Sequence, residues 1–440
     1  MRRISLIALA LVLTASSGPA HAYPGDPDTS FNSGRAQTLD FKLFDFPEAV
    51  VVQKDHKVVV AGTASGASGT TFAIGRLTKG GAKDGSFSKD GRATVAIGPG
   101  AAASGLAYAA NGDLFVAGQT WVHVAEDVYD TNLAVARLTK SGALRGSFGD
   151  GGTVVVPIPS GAISAERGIS VIAQKDGKVV IGATVDAWLY PPDPAEVYVE
   201  RNEIVVVRLD TAGQLDPTFG TGGIAMIAPH VGSLSLSSLL AGPGGSIIAT
   251  ATSDAPAIGG LVAMKLMADG ALDPTFGAAG TARATFAQGL ARMVGAGLDS
   301  KGRLVLVGYV PELGGMAFAR FDAAGQLDAT FAGDGTKYQV DTDNISPAAA
   351  TVHSTGKIVV AGRAIACFGS FCGSAPAVRR YKPSGAIDKG FGIGGTARLD
   401  SAFSSPTAVT LDGVKPVAAG YAWFDFRSFD VDFIVQRLKG

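Results

Sequence analysis

The chain has 440 residues, 47% of them hydrophobic and 17% charged, with 60 glycines and 37 basic against 38 acidic side chains. This composition allows a large core and excludes general disorder. The near-neutral balance excludes the basic stripe that nucleic-acid binding needs, so no nucleic-acid partner is expected.

Met1–Ala22 reads as a secretory signal peptide: Arg2 and Arg3 give a charged start, Ile4 to Thr14 an apolar middle, and Ala20-His21-Ala22 a small-residue cleavage site. The apolar stretch is shorter than the about 20 residues a bilayer requires, and no later run escapes interruption by Gly, Pro or charge. No Cys follows the cleavage site to carry a lipid. The expectation is an exported protein, periplasmic or extracellular, without a transmembrane anchor. The signal removes two arginines and no acid, leaving a net charge of −3 on a mature chain of residues 23–440.

From there one phrase recurs: a glycine turn, usually an Asp, then a Phe followed by more glycine. The Phe residues are Phe31, Phe87, Phe148, Phe219, Phe276, Phe331 and Phe391, with a mean spacing of 60 residues. A repeat of this length absorbs the whole mature chain and leaves no room for a second domain. A residue present in every repeat builds scaffold in preference to one active site.

Each repeat carries four strand-like segments, a to d. Segment a is rich in small residues, as at Gly105, Ala107, Gly168, Gly295 and Ala296, which suits strands crowded around an axis. Segment b is a β-branched run after a tight turn, as in Lys57-Val58-Val59-Val60 or Lys357-Ile358-Val359-Val360. Segment c ends in a basic and an apolar residue: Arg76-Leu77, Arg137-Leu138, Arg208-Leu209, Lys265-Leu266, Arg320-Phe321, Arg380-Tyr381 and Arg437-Leu438. Segment d holds the Phe and the extended stretch after it.

Four antiparallel strands per unit without helical periodicity point to an all-β, seven-bladed β-propeller of four-stranded antiparallel blades. The chain opens on a lone d, Asp28 to Phe41, and ends on an a, b, c set, Pro406 to Leu438. The N-terminal outer strand would therefore complete the last blade and close the ring, removing an open edge. An open β-solenoid is the alternative, but its coils are usually much shorter.

Arg208 to Gly223 and Asp176 to Gly182 carry an Arg-Leu strand, a glycine turn, Leu-Asp-x-x-Phe-Gly and a Gly-Lys hairpin. This pattern resembles the delta-60 repeat family of bacterial exported proteins, over essentially the whole mature chain, and the units are similar to NHL repeats in their order. Departures stand at Arg145 for Asp, and at Ser88 and Ala332 for Gly. The resemblance implies the propeller and brings no established activity.

The Asp three residues before most of these Phe (Asp28, Asp84, Asp216, Asp273, Asp328, Asp388) reads as an Asx-turn or an ion pair with the Arg of segment c. Arg145, beside Arg137, is expected to break that pair in one repeat, at a cost of at most about 1 kcal/mol if the pair is exposed. The mature histidines, His56, His123, His230 and His353, lack metal-ligand spacing, and neither a Gly-x-Ser-x-Gly elbow nor a phosphate loop occurs. Asp341-Thr342-Asp343-Asn344 and Asp26-Pro27-Asp28 read as solvated turns. No metal and no cofactor is expected. Cys367 and Cys372, the only cysteines, read as a disulfide clipping one loop tip.

The sharpest functional signal lies in long b–c connections, Gln119 to Asn132, Val185 to Glu203, Arg363 to Ala375 and Tyr421 to Asp432. They hold Trp121, His123, Tyr129, Trp188, Tyr190, Tyr198, Tyr421, Trp423 and Phe424, interspersed with acids. Such loops would stand together on one propeller face, and Trp and Tyr supply contact area at low entropy cost; the same rings could equally staple the loops to neighbouring blades. The sequence thus points to a monomeric, non-enzymatic scaffold binding a glycan, peptide or protein. The alternatives are a metal-dependent hydrolase or lyase at the axial channel, or a structural envelope component.

Overall fold

The structure is a computed structural model. It describes residues 23–440 except 43, 67–68, 126–127, 159–162, 190–198, 228–232, 256–258, 341–344, 369–370 and 426–429, with backbone alone at 122–125, 128–130, 163–167, 187–189, 199–201, 366–368, 371–372, 424–425 and 430. The predicted signal peptide lies outside the described residues. No helix among those described is long and apolar enough to cross a membrane.

The chain is all-β. After β1 (Gln37–Leu39) come β2 (Phe44–Val52), β3 (Val58–Gly66), β4 (Gly69–Leu77) and β5 (Arg92–Val95). The next ladder is β6 (Ala101–Tyr108), β7 (Leu114–Ala125), β8 (Val128–Leu138) and β9 (Thr153–Val156), followed by β10 (Ile163–Ala173), β11 (Val179–Leu189), β12 (Val199–Leu209) and β13 (Ile224–Ile227). Then come β14 (Leu234–Ala241), β15 (Ile247–Ser253), β16 (Gly260–Leu266) and β17 (Thr281–Ala284), and β18 (Arg292–Leu298), β19 (Leu304–Val310), β20 (Gly315–Phe321) and β21 (Thr336–Val340). The last are β22 (Ile345–Val352), β23 (Ile358–Phe368), β24 (Phe371–Tyr381) and β25 (Thr396–Arg398), then β26 (Ser405–Asp412), β27 (Lys415–Asp425) and β28 (Asp430–Arg437).

Five sheets of four strands run in chain order, each pair antiparallel, and a sixth sheet has eight strands, seven in one path with β1 beside it. That path joins β2–β5 to β26–β28 through one parallel bridge, Phe44 to Val431. β1 pairs antiparallel with β28, Gln37 opposite Val435 and Leu39 opposite Phe433. The Phe of each repeat sits in the turn before the short fourth strand, not within it.

The second and third strands are buried on both faces. Val58, Val59 and Val60 are all fully buried, as are Val205, Val206 and Val207. A strand with one wet face alternates apolar with polar, so these continuous runs mean that each sheet is covered on both sides. Buried apolar residues fall into seven clusters among the described residues, six of them built from two ladders consecutive in the chain; the seventh, with Phe31, Val60, Val417 and Phe433, joins the first ladder to the last.

The first strands lie against one another from ladder to ladder, and β26 lies against β2. Their small residues make this approach possible: a Cβ on Gly295 would overlap the carbonyl of Ala350 in β22. Each first strand also carries a register shift at the same level, for example between Pro47 and Ala49, Ala103 and Gly105, and Pro406 and Ala408. Such bulges tighten the local twist.

Candidate functional site

The recurring Asp and Arg meet as expected. Arg Nε to Asp Oδ2 distances are 2.7 Å for Arg76–Asp84 and Arg208–Asp216, 2.8 Å for Arg320–Asp328 and Arg437–Asp28, and 2.9 Å for Arg380–Asp388. Lys265 Nζ lies 2.9 Å from Asp273. In Asp28, Asp84, Asp216, Asp273 and Asp328 the other carboxylate oxygen makes the Asx-turn, accepting from the backbone and hydroxyl of the residue two further on, as Ser86 gives to Asp84 at 3.1 and 2.7 Å. A second cation from the start of the second strand joins most pairs, such as Lys178 at 2.8 Å from Asp216.

These pairs are scaffold. The guanidinium lies over the repeated Phe, Arg380 4.5 Å from the Phe391 centroid and Arg76 4.7 Å from that of Phe87. It also reaches the next ladder, Arg76 Nη1 donating to the Lys140 carbonyl at 2.6 Å. The Phe ring enters the following glycine turn: Gly142 has φ +86°, and a Cβ there would lie 3.0 Å from Phe87. One turn thus requires glycine twice over, for backbone conformation and for space.

Arg145 corrects the sequence reading. The pair is not broken, because Asp113, at the start of β7 where five of the other repeats have Lys or Arg and one has Ser246, binds Arg137 at 3.0 Å and Arg145 at 2.5 Å. The charges are exchanged within the same triangle. Nor are the pairs exposed, since Asp28, Asp84, Asp113 and Asp216 are all at most 5% accessible.

Burial raises the Asp84 pKa, but hydrogen bonds from Ser86 and Lys57 and the charge of Arg76 outweigh it and bring the group to about 2. At Asp328 the Thr330 hydroxyl is the largest cause of a fall to about 2. Asp28 ends well below the usual carboxylate range: burial opposes this, and Lys415, Ser30 and Arg437 overcome it.

The four long b–c connections are largely extended hairpins. β7 and β8, β11 and β12, β23 and β24, and β27 and β28 carry their ladders beyond those of neighbouring sheets, with Trp121 opposite Thr131, His123 opposite Tyr129, Trp188 opposite Glu200 and Trp423 opposite Val431. The side chains of His123, Tyr129, Trp188 and Phe424 lie outside the description, as do Tyr190, Tyr198 and the acids Asp341 and Asp343 altogether. Cys367 stands directly opposite Cys372 across β23 and β24.

Of the described rings, Trp121 is half-buried and lies against Gly100, where a Cβ would be 3.3 Å away. Tyr421 packs edge-on to Phe46 of β2, centroids 5.5 Å apart. Those two act as staples. Trp423 is 37% exposed and Phe44 36%, and both pair with Val431, in β28, so a row of two partly exposed rings crosses the seam between the last and first ladders.

Alternation along β28 puts Asp432 on the sheet face opposite that row. There Asp40, Asp45 and Asp432 bring carboxylate oxygens within 4.8 Å of one another, Asp45 and Asp432 being buried and Asp40 exposed. Asp45 Oδ2 accepts from the Phe41 amide at 2.6 Å. Three carboxylates at this spacing repel, and they are the described residues that could hold a cation. Sequence reading missed the triad, because its members stand at opposite ends of the chain.

Residues 53–87 and 353–391 each match the profile of a family described as a domain of unknown function (DUF5122) beta-propeller. Both matches run from the first hairpin turn through the ion pair to the buried Phe. No curated protein matches. Among solved structures, prolyl oligopeptidase B from Galerina marginata aligns at TM-score 0.40 and 10% identity over 90% of this chain and 48% of its own, so this chain spans about half its length. The Chaetomium thermophilum Sqt1 aligns at 0.41 and 10%, over 90% and 98%, and polysaccharide lyase Uly1 at 0.36 and 11%, over 89% and 76%. Likeness at this level carries no argument about function. The antiparallel four-stranded sheets agree with the β-propeller fold that the two matched segments describe.

Proposed function

We propose that the chain is an exported, seven-bladed β-propeller of the delta-60 repeat type, closed by Asp28 to Phe41 on the last blade, and that it acts as a monomeric, non-enzymatic binding scaffold. Closure is supported by the β1–β28 ladder and by the cluster of Phe31 with Phe433. The ligand is a glycan, peptide or protein taken at the b–c end. One observation carries this: apart from Tyr23, the aromatic rings more than a third exposed among the described residues are Phe44 and Trp423, and these two flank the same residue of β28. Partly exposed rings on paired strands offer contact area that needs little ordering on binding.

Acrylamide quenching of Trp fluorescence tests the platform. Trp423 should supply a readily quenched fraction that Trp423→Phe removes, and a glycan or basic peptide that binds should protect it. If quenching is unchanged by that substitution, the ring is covered and the reading fails.

The acidic triad supports a second reading, a metal-dependent hydrolase or lyase. Calcium or zinc copurifying with the mature chain, and lost in Asp45→Asn, would favour it over a scaffold.

A further inference from the structure

The opposite end of the ring holds a second site. Between the first two ladders, on the side of the a–b and c–d turns, lies a cleft of about 470 Å³ lined by Gln53, Lys54, Tyr108, Lys140 and Ser141 among others. That volume is in the range small ligands occupy.

The charges in it are unequal. Arg76 and Lys57 also line the cleft, and both are neutralised by Asp84, at 2.7 and 3.2 Å. Asp55 lies 3.6 Å from Lys57. Lys54 and Lys140 are exposed and make no ion pair among the described residues. Two cations therefore face the cleft without a protein counter-charge.

Position-by-position comparison around the ring separates these residues from the scaffold. The turns align through one backbone bond, Gln53 N to Lys57 O and Ala109 N to Asp113 O in the first two repeats. Where β6 ends in half-buried Tyr108, the other first strands have Val52, Ala173, Ala241, Leu298, Val352 and Leu411. Where Lys140 stands, the first c–d turn has Lys79 and the later ones Thr211, Ala268, Ala323 and Pro383, and where Lys54 stands the third a–b turn has Lys175; only between the first two ladders do lysines at both positions come together, with a Tyr beside them. No packing demand common to the repeats explains a ring and two free lysines at this one seam.

We propose that this cleft binds an acidic saccharide. The carboxylate or sulfate sits between Lys54 and Lys140, the sugar ring lies against Tyr108, and its hydroxyls meet Gln53 and Ser141. A neutral sugar gains no charge attraction from the lysines, and an isolated anion no stacking from the ring. The inference is independent of the aromatic row at the other end of the ring.

The test is calorimetric titration of the mature chain with trigalacturonate, neutral galactotriose and sodium sulfate. Trigalacturonate should bind, galactotriose at least about tenfold more weakly, and added salt should weaken the first selectively. Lys54→Ala with Lys140→Ala should reduce affinity at least about tenfold, and Tyr108→Val, the residue of the first repeat, at least about threefold. Trp423→Ala should leave it unchanged. The idea is overturned by absent binding, by equal affinity for galactotriose, or by an unaffected Lys54 and Lys140 double variant. It is equally overturned if sulfate competes with full effect and Tyr108→Val does nothing, which would mean a simple ion site, or if Trp423→Ala alone abolishes binding.

Discussion

The guanidinium of Arg437 lies 2.8 Å from the carboxylate of Asp28, a residue 409 positions earlier in the chain. It lies over Phe31 at 4.9 Å, as the corresponding arginines lie over theirs. Gly392 N donates to the Pro24 carbonyl at 2.7 Å, the bond that Gly220 N makes to Asp269 in an internal repeat. The N-terminal segment thus fills the same place as an internal outer strand. Deleting Asp28 to Phe41 should lower the melting temperature of the whole chain in one cooperative step, as calorimetry would show. Melting like the intact mature chain would disprove closure by the termini.

The exchanged triangle at Asp113 predicts a double-mutant effect. Asp113→Asn leaves Arg137 and Arg145 without their buried counter-charge and should cost about 3–5 kcal/mol. Asp113→Lys with Arg145→Asp recreates the arrangement of the other repeats. Urea denaturation should find the double variant more stable than either single one.

Acid should weaken the fold. The pKa values of Asp84 and Asp328 fall from an ordinary 3.8 to about 2 in the folded chain, and that of Asp28 falls further. A depressed carboxylate contributes stability above its unfolded value and loses it as pH falls through the folded one. The urea midpoint should therefore be insensitive to these groups above about pH 5 and drop between about 4 and 2. A midpoint unchanged down to pH 2 would show that the pairs contribute nothing.

Gly295→Val places a branched side chain against the Ala350 backbone of the next ladder. Overpacking of this kind costs about 1–3 kcal/mol or more. Far-UV circular dichroism during thermal melting would register it, whereas Gly302→Ala, with open space around it, tests backbone conformation alone.

Cys367 and Cys372 face each other across a ladder, where paired Cα atoms stand about 4.5–5.5 Å apart, within reach of a disulfide. Thiol titration of the denatured chain, produced in an oxidising compartment, should find none before reduction and two after it. Cys367→Ser should cost at most about 2 kcal/mol, because the closed loop is short.

The repeat, the four-strand unit and the Arg–Asp pair were legible because each is local: Arg76 and Asp84 lie eight residues apart across one turn. Small residues such as Gly295 marked the first strands for the same reason. What was not legible depends on distant partners. Arg145 finds Asp113 32 positions away on another strand, and Asp40 meets Asp432 only through the seam between the two ends of the chain. The long hairpins looked like loops because Pro, Asp and aromatic residues interrupt the alternation, yet cross-strand pairing extends the ladders through much of them.

β1 also has a mechanical meaning. Its pairing with β28 is antiparallel and three residues long, and both chain ends leave from the same side, where Gly25 N bonds to the Lys439 carbonyl. Tension between residues 24 and 439 would therefore peel this pair open one rung at a time instead of shearing all rungs together. In an optical trap the first rip should be small and occur at low force, with the other ladders opening later. A protein anchored by both ends would come undone at that seam before any other.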